Sequence, residues 1–149
     1  MHCIRTPFHP DPAPDFGLHH FRFALYPHIG ACDDMEATRL GKSFNAELLV
    51  LPGKAKETLS VPVQLIEGEA VISTVKPAYR QEGFVVRLYT SLDHPISFRL
   101  KAYAPIKRVQ EVLITEVRPT AREFLVEGKE ILGMLQAGEM LTLHMVFQD

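Results

Sequence analysis

Ile96-Ser97-Phe98-Arg99-Leu100-Lys101-Ala102-Tyr103 changes character at every residue. Ile96, Phe98, Leu100 and Ala102 are apolar; Ser97, Arg99, Lys101 and Tyr103 between them are polar or amphipathic. A period of two marks a strand with one buried and one wetted face, because successive side chains on an extended backbone point to opposite sides. The same pattern recurs upstream, where Phe84, Val86 and Leu88 alternate with Val85, Arg87 and Tyr89. Further short strands are predicted at 47–51, 60–66, 70–75, 109–117, 123–126, 130–135 and 140–147. Turn signals such as Pro52-Gly53 and Lys76-Pro77 separate them roughly every 10 residues, the spacing of an all-β sandwich. Pro62 lacks an N–H for a ladder and assigns 60–66 to a sheet edge. The fold predicted is an antiparallel, immunoglobulin-like β-sandwich.

One short helix is expected in the N-terminal third. Asp33 or Asp34 can cap it, Glu36 suits its first turn, Arg39 and Lys42 suit its end, and Gly41 is expected to stop it. Before it, Pro7, Pro10, Pro12 and Pro14 make residues 6–15 an extended arm. Residues 18–26 then read as a strand. His19, Phe21, Phe23 and Leu25 share one face, His20, Arg22, Ala24 and Tyr26 the other, and Pro27 ends it. Two regions result: 1–68, a Pro-rich arm, strand and short helix belonging to a larger β layer, and 69–149, a β-sandwich.

At 149 residues the chain holds one domain or two small β layers sharing a core. Hydrophobic residues at 46% and charged residues at 23% are ordinary for a globular protein. The net charge is −2, and basic residues are scattered apart from Lys107-Arg108, so no nucleic-acid footprint is visible. Cys3 and Cys32 form neither a CxxC pair nor a disulfide framework. The first residues lack the apolar core of a secretory signal, and no apolar run approaches the roughly 18 residues that span a bilayer. The expectation is a cytoplasmic chain without membrane partners.

The candidate chemistry is thin. His19, His20, His28, Cys32, Asp33 and Asp34 are metal-ligand types close in sequence, but His19 and His20 face opposite ways and no ligand spacing recurs. Cys32 with His28 lacks a nucleophile elbow and an orienting partner. His144 is the only late histidine for a cupin-like set, and there is no HxH. Glycoside hydrolysis requires two opposed carboxylates; Glu111, Glu116, Glu127, Glu130 and Glu139 are available. Glu116 falls on the face of Val112 and Ile114, where a buried carboxylate needs an ion-pair partner. Tyr79, Tyr89 and Tyr103 are the aromatic candidates for stacking on a sugar, Tyr89 and Tyr103 foremost because each takes the polar face of its strand.

Three stretches resemble the C-terminal β region of glycoside hydrolase family 38 α-mannosidases. Gly17-Leu18-His19-His20-Phe21-Arg22-Phe23-Ala24-Leu25-Tyr26-Pro27-His28-Ile29-Gly30 is similar to the family's G-x-H-x-F-x-Y-A-L-x-P-H-x-G run, and Phe44-Asn45 to its F-N-x-P-L element. Residues 71–76 with Gly83-Phe84-Val85-Val86-Arg87-Leu88-Tyr89 resemble its K-x-A … G-x-x-x-R-L-Y strand pair. Glu116 and Gly138-Glu139-Met140-Leu141-Thr142-Leu143 resemble its closing E-I-x-T-L strand. Ala31-Cys32 stands where the family often has Trp, and Glu47 where it has proline. The resemblance implies structural motif positions at His19, Phe21, Pro27, His28, Gly30, Asn45, Arg87, Glu116, Glu139 and Thr142. It implies a zinc-dependent, retaining α-mannosidase as parent, whose nucleophile and zinc ligands lie in an N-terminal catalytic domain. No catalytic residue, metal ligand or cofactor is therefore expected in this chain. Its expected role is structural support of that domain, with self-association when isolated. The alternative is a stand-alone carbohydrate-binding module.

Overall fold

The computed structural model of the chain describes residues 17–46, 50, 52–53 and 61–148. The arm at 6–15 and the strand expected at 47–51, apart from Val50, lie outside the described residues. Two compact units are present, residues 1–31 and residues 32–149.

The second unit is built from helix α1 (Asp34–Asn45) and eight strands: β1 (Val63–Glu67), β2 (Val71–Pro77), β3 (Phe84–Tyr89), β4 (Ile96–Ala102), β5 (Ile106–Glu111), β6 (Leu125–Glu127), β7 (Glu130–Leu135) and β8 (Met140–Phe147). They form two four-stranded sheets ordered β1-β4-β7-β6 and β2-β3-β8-β5. Every strand pair is antiparallel. Phe98, Leu100, Ile131 and Leu135 of the first sheet meet Val86, Leu88, Leu141, Leu143 and Met145 of the second in one buried cluster. This is the antiparallel β-sandwich that the alternating residues predict. Ile96, Phe98, Leu100 and Ala102 all face inward, as their period requires.

The sheet edges are blunted. β1, β2 and β5 each carry a register shift, and β6 has only 3 residues. Bulges and shortness both deny a neighbouring chain a straight row of free N–H and C=O groups. Pro62 immediately precedes edge strand β1, in agreement with its sequence reading.

The helix begins where its cap predicts. Asp33 Oδ1 accepts the N–H groups of Met35 and Glu36 at 2.8 and 2.9 Å. It does not stop at Gly41 but continues to Asn45, whose side chain donates to the Gly41 carbonyl at 2.8 Å. Gly41 has no positive φ here, so it carries the helix instead of turning it. The helix buries one residue, Met35. The Ser91 hydroxyl lies 3.2 Å from its sulfur, Thr38 bonds Ser91 at 3.0 Å, and Lys42 reaches the Ile72 carbonyl.

Two strand expectations are corrected. Residues 18–26 are not a strand; they run as irregular, exposed chain. Alternation defines the faces of a strand but cannot supply the partner that makes a ladder. The strand expected at 109–117 instead spans Ile106–Glu111, and Glu116 lies in the loop beyond it.

Candidate functional site

Arg87 sits in the middle of β3 between the core residues Val86 and Leu88, so its side chain projects from the opposite face of the second sheet. Thr142 of β8 is its cross-strand partner and is buried. Over this row folds the loop that leaves β5. The Val112 N–H donates to the Thr142 carbonyl at 2.9 Å, Val112 bridges to Pro119, and the Glu116 N–H closes a turn onto the Leu113 carbonyl at 2.7 Å. Glu116 takes a left-handed φ of 66°, which costs a non-glycine residue about 1–2 kcal/mol.

That conformation delivers a carboxylate into the fold. The Glu116 side chain is 7% exposed. Its Oε2 accepts from Lys76 Nζ at 2.9 Å and from the Tyr79 N–H at 3.2 Å, and its Oε1 accepts from Arg87 Nη2 at 2.8 Å. Arg87 Nη2 also donates to the Ile114 carbonyl at 3.0 Å, and Gln81 Nε2 to the Glu116 carbonyl at 3.3 Å. Arg87 Nε is buried and makes no hydrogen bond. The Lys76 hydrogen bond holds the Glu116 carboxyl below the ordinary glutamate value against burial, which pushes it up; the Tyr79 N–H and the charges of Lys76 and Arg87 add to the lowering. One carboxylate thus ties the β2–β3 turn to the loop after β5.

A second carboxylate lies immediately before β8. Glu139 accepts from Arg122 Nη1 at 2.5 Å and from the Gln136 N–H at 2.6 Å. Burial pushes its carboxyl up, but the Arg122 hydrogen bond, the Gln136 N–H and the Arg122 charge outweigh it and leave it lowered. Glu111 stands 3.7 Å from the same guanidinium and accepts from the Thr120 hydroxyl. Both clusters are ion pairs that hold loops against the sandwich, and in each the central carboxylate, Glu116 or Glu139, is held below the ordinary glutamate value.

The structure thus brings Arg87, Glu116 and Thr142 together and sets Glu139 in its own cluster. Asn45 terminates α1. His19, Phe21, Pro27, His28 and Gly30 lie in the first unit, where the His19 and Phe21 rings stack at 6.1 Å and the Tyr26 and His28 rings at 6.0 Å. Asp33 is occupied as a helix cap, Cys32 is a free exposed thiol, and no group of three metal-ligating side chains exists among the described residues. Buried His144 is bonded through Nε2 to the Glu82 carbonyl at 2.7 Å. Tyr89 pairs with Met140 at one end of β8, whereas Tyr103 packs edge-on against Phe147 at the other, with centroids 4.8 Å apart. Those two tyrosines share no platform; the exposed Tyr79 ring carries the Arg80 guanidinium 4.9 Å from its centroid.

Sequence reasoning missed Lys76 as the second cation of the Glu116 site, and it named Glu111 and Glu139 without joining them to Arg122. The Lys76 and Glu116 positions are 40 residues apart, so no local pattern links them. The demand of a carboxylate on an apolar face for a partner pointed toward the site, as did the motif positions that the resemblance implied at Arg87, Glu116 and Thr142.

A β-sandwich domain with internally neutralised carboxylates is the class this geometry defines. The chain is 28% identical over its whole length to Alpha-mannosidase 2C1 of Mus musculus, of which it spans 15%. It is 30% identical over 78% of its length to Alpha-mannosidase 2C1 of Homo sapiens and 31% identical over 66% of its length to Alpha-mannosidase G of Dictyostelium discoideum, spanning 11% and 10% of those proteins. The chain is therefore related to a small part of α-mannosidases, as its sequence resemblance implied. No family model and no solved structure matches it.

Proposed function

We propose that this chain is the non-catalytic C-terminal β domain of a family 38 α-mannosidase-like glycoside hydrolase, with a structural role in supporting the catalytic part. The observation that carries this reading is the state of Glu116. It is the buried acidic side chain among the described residues, and it is held ionised by two cations and a backbone N–H. A glycosidase acid needs a raised pKa, and its partner carboxylate must face it across a cleft. Glu116 and Glu139 are both shifted the other way. Among the described residues no three ligating side chains converge, so none of them forms a donor set that fits the zinc of the parent enzyme.

The partner in this reading is the catalytic region, with further copies of the chain taking its place in isolation. The free, exposed Cys32 suits a reducing, cytoplasmic setting; no helix among the described residues is long and apolar enough to cross a membrane. A stand-alone sugar-binding module is the lesser reading, because Tyr89 and Tyr103 mark opposite ends of β8. The test is hydrolysis of an aryl α-mannoside by the purified chain, with and without added zinc. No turnover is expected. Activity that follows the chain through purification and disappears with Glu116→Gln overturns the proposal.

A further inference from the structure

The β2–β3 turn and the loop after β5 enclose an open cavity of about 330 Å³, lined by Tyr79, Arg80, Gln81, Glu116 and Val117. That volume is at the small end of ligand pockets and holds a single sugar ring. Its wall is strained at two points. Among the described residues, Arg80 at φ 53° and Glu116 at φ 66° are the non-glycine residues in the left-handed region, and both line the cavity. Such strain persists only where the surroundings fix it, and it gathers at ligand sites. Here Glu116 fixes both sides. Its Oε2 accepts from the Tyr79 N–H and its backbone carbonyl from Gln81 Nε2, while the Ala78 N–H closes the turn onto the Gly83 carbonyl at 3.0 Å.

The groups that these anchors leave over decide the ligand. The Tyr79 ring is 60% exposed, and Val117 is exposed too. The Arg80 guanidinium lies 4.9 Å from the Tyr79 ring centroid, and among the described residues no carboxylate pairs with it. Gln81 spends its Nε2 on the Glu116 carbonyl, and no described residue donates to its Oε1. The cavity therefore offers an aromatic face, a planar set of N–H donors and a carbonyl acceptor. A wholly apolar ligand would strip water from the guanidinium and return nothing. An anion would suit Arg80 but would also meet the Gln81 oxygen and the Glu116 carboxylate. A pyranose fits all three: each of its hydroxyls both donates and accepts, and its C–H groups suit the negative face of an aromatic ring.

We infer that this cavity binds a neutral pyranoside, with its C–H face against the open part of the Tyr79 ring and adjacent hydroxyls on Arg80 and Gln81. Neither Tyr89 nor Tyr103 takes part. The inference does not depend on the scaffolding role proposed above, and its failure leaves that role standing.

The test is a chemical-shift titration of the isotope-labelled full chain with the methyl α-pyranosides of mannose, glucose and galactose, and with inorganic phosphate. Saturable shifts are expected at the amides of Tyr79, Arg80, Gln81 and Val117 with at least one glycoside. The dissociation constant should be on the order of 1 mM, as the gain per atom for so small a ligand gives. Tyr79→Ala should weaken binding about tenfold, as loss of an aromatic anchor does, whereas Tyr79→Phe should retain most of it. Arg80→Gly should weaken binding comparably without lowering the thermal midpoint, because glycine takes a left-handed φ freely. A residue that served the fold alone would show the reverse. The proposal is overturned if no glycoside gives a saturable shift at these amides, if the shifts survive Tyr79→Ala, or if phosphate binds there more tightly than every glycoside.

Discussion

Glu116 shows how far a single side chain can be placed by competing costs. A left-handed backbone and a desolvated carboxylate are both unfavourable, and they are offset by Lys76, Arg87 and the Tyr79 N–H. Glu116→Gln keeps the shape and removes the charge, leaving Arg87 facing a neutral amide. Lys76 is more than a third exposed, so its share is screened by water. A loss of about 1–3 kcal/mol is expected in urea unfolding, with little change in the slope. The pH dependence has a definite sign. The folded carboxyl titrates below its unfolded value, so its stabilisation is complete at neutral pH. It fades as pH falls through the ordinary glutamate value of about 4.3 and is gone below the lowered folded value. The Gln variant should lack this acid-side component, and the two unfolding curves should converge as pH falls. From sequence, Glu116 was legible as a carboxylate in need of a partner. Its partners were not, because Lys76 and Arg87 are brought near it only by the pairing of β2 with β3.

Among the elements, those with a strict period were read almost to the residue. Phe84–Tyr89, Glu130–Leu135 and Met140–Phe147 occupy the spans their patterns assigned. β5 was displaced because Lys107-Arg108 hid its first turns of alternation, while Leu113, Ile114 and Val117 extended the apolar pattern beyond its end. Those last three side chains are exposed, and the Glu116 turn, not a ladder, determines their backbone. The helix was misjudged at its end for a comparable reason. Gly41 was weighed as a stop, yet the Asn45 side chain and the Ala46 N–H cap the helix four and five residues later. Nothing lies within 4 Å of a Cβ built at Gly41, so Gly41→Ala should stabilise the protein by about 0.5–1 kcal/mol, read as a raised thermal midpoint. The same change at Gly83 would fail, since φ there is 97° and the new methyl would meet the Met145 carbonyl.

On the scale of the whole molecule, the buried cluster draws on strands from both sheets and, among the described residues, on none before Val63. A chain beginning at Cys32 should keep a single cooperative thermal transition, with a midpoint within a few degrees of the full-length protein; loss of that transition would mean that residues 1–31 contribute to the core. The sandwich class was legible because the spacing of strands and turns is a property of the whole chain. The blunting of its edges was foreshadowed only by Pro62, since a register shift depends on the partner strand. Sulfur chemistry gives the helix anchor a further consequence. Met35 is fully enclosed and faces the Ser91 hydroxyl, whereas Met134 and Met140 are open to solvent. Oxidants will therefore convert the two exposed thioethers to sulfoxides first and leave the fold intact. Once Met35 follows, its enlarged polar head no longer fits its cavity, and α1 comes away from a sandwich that remains whole.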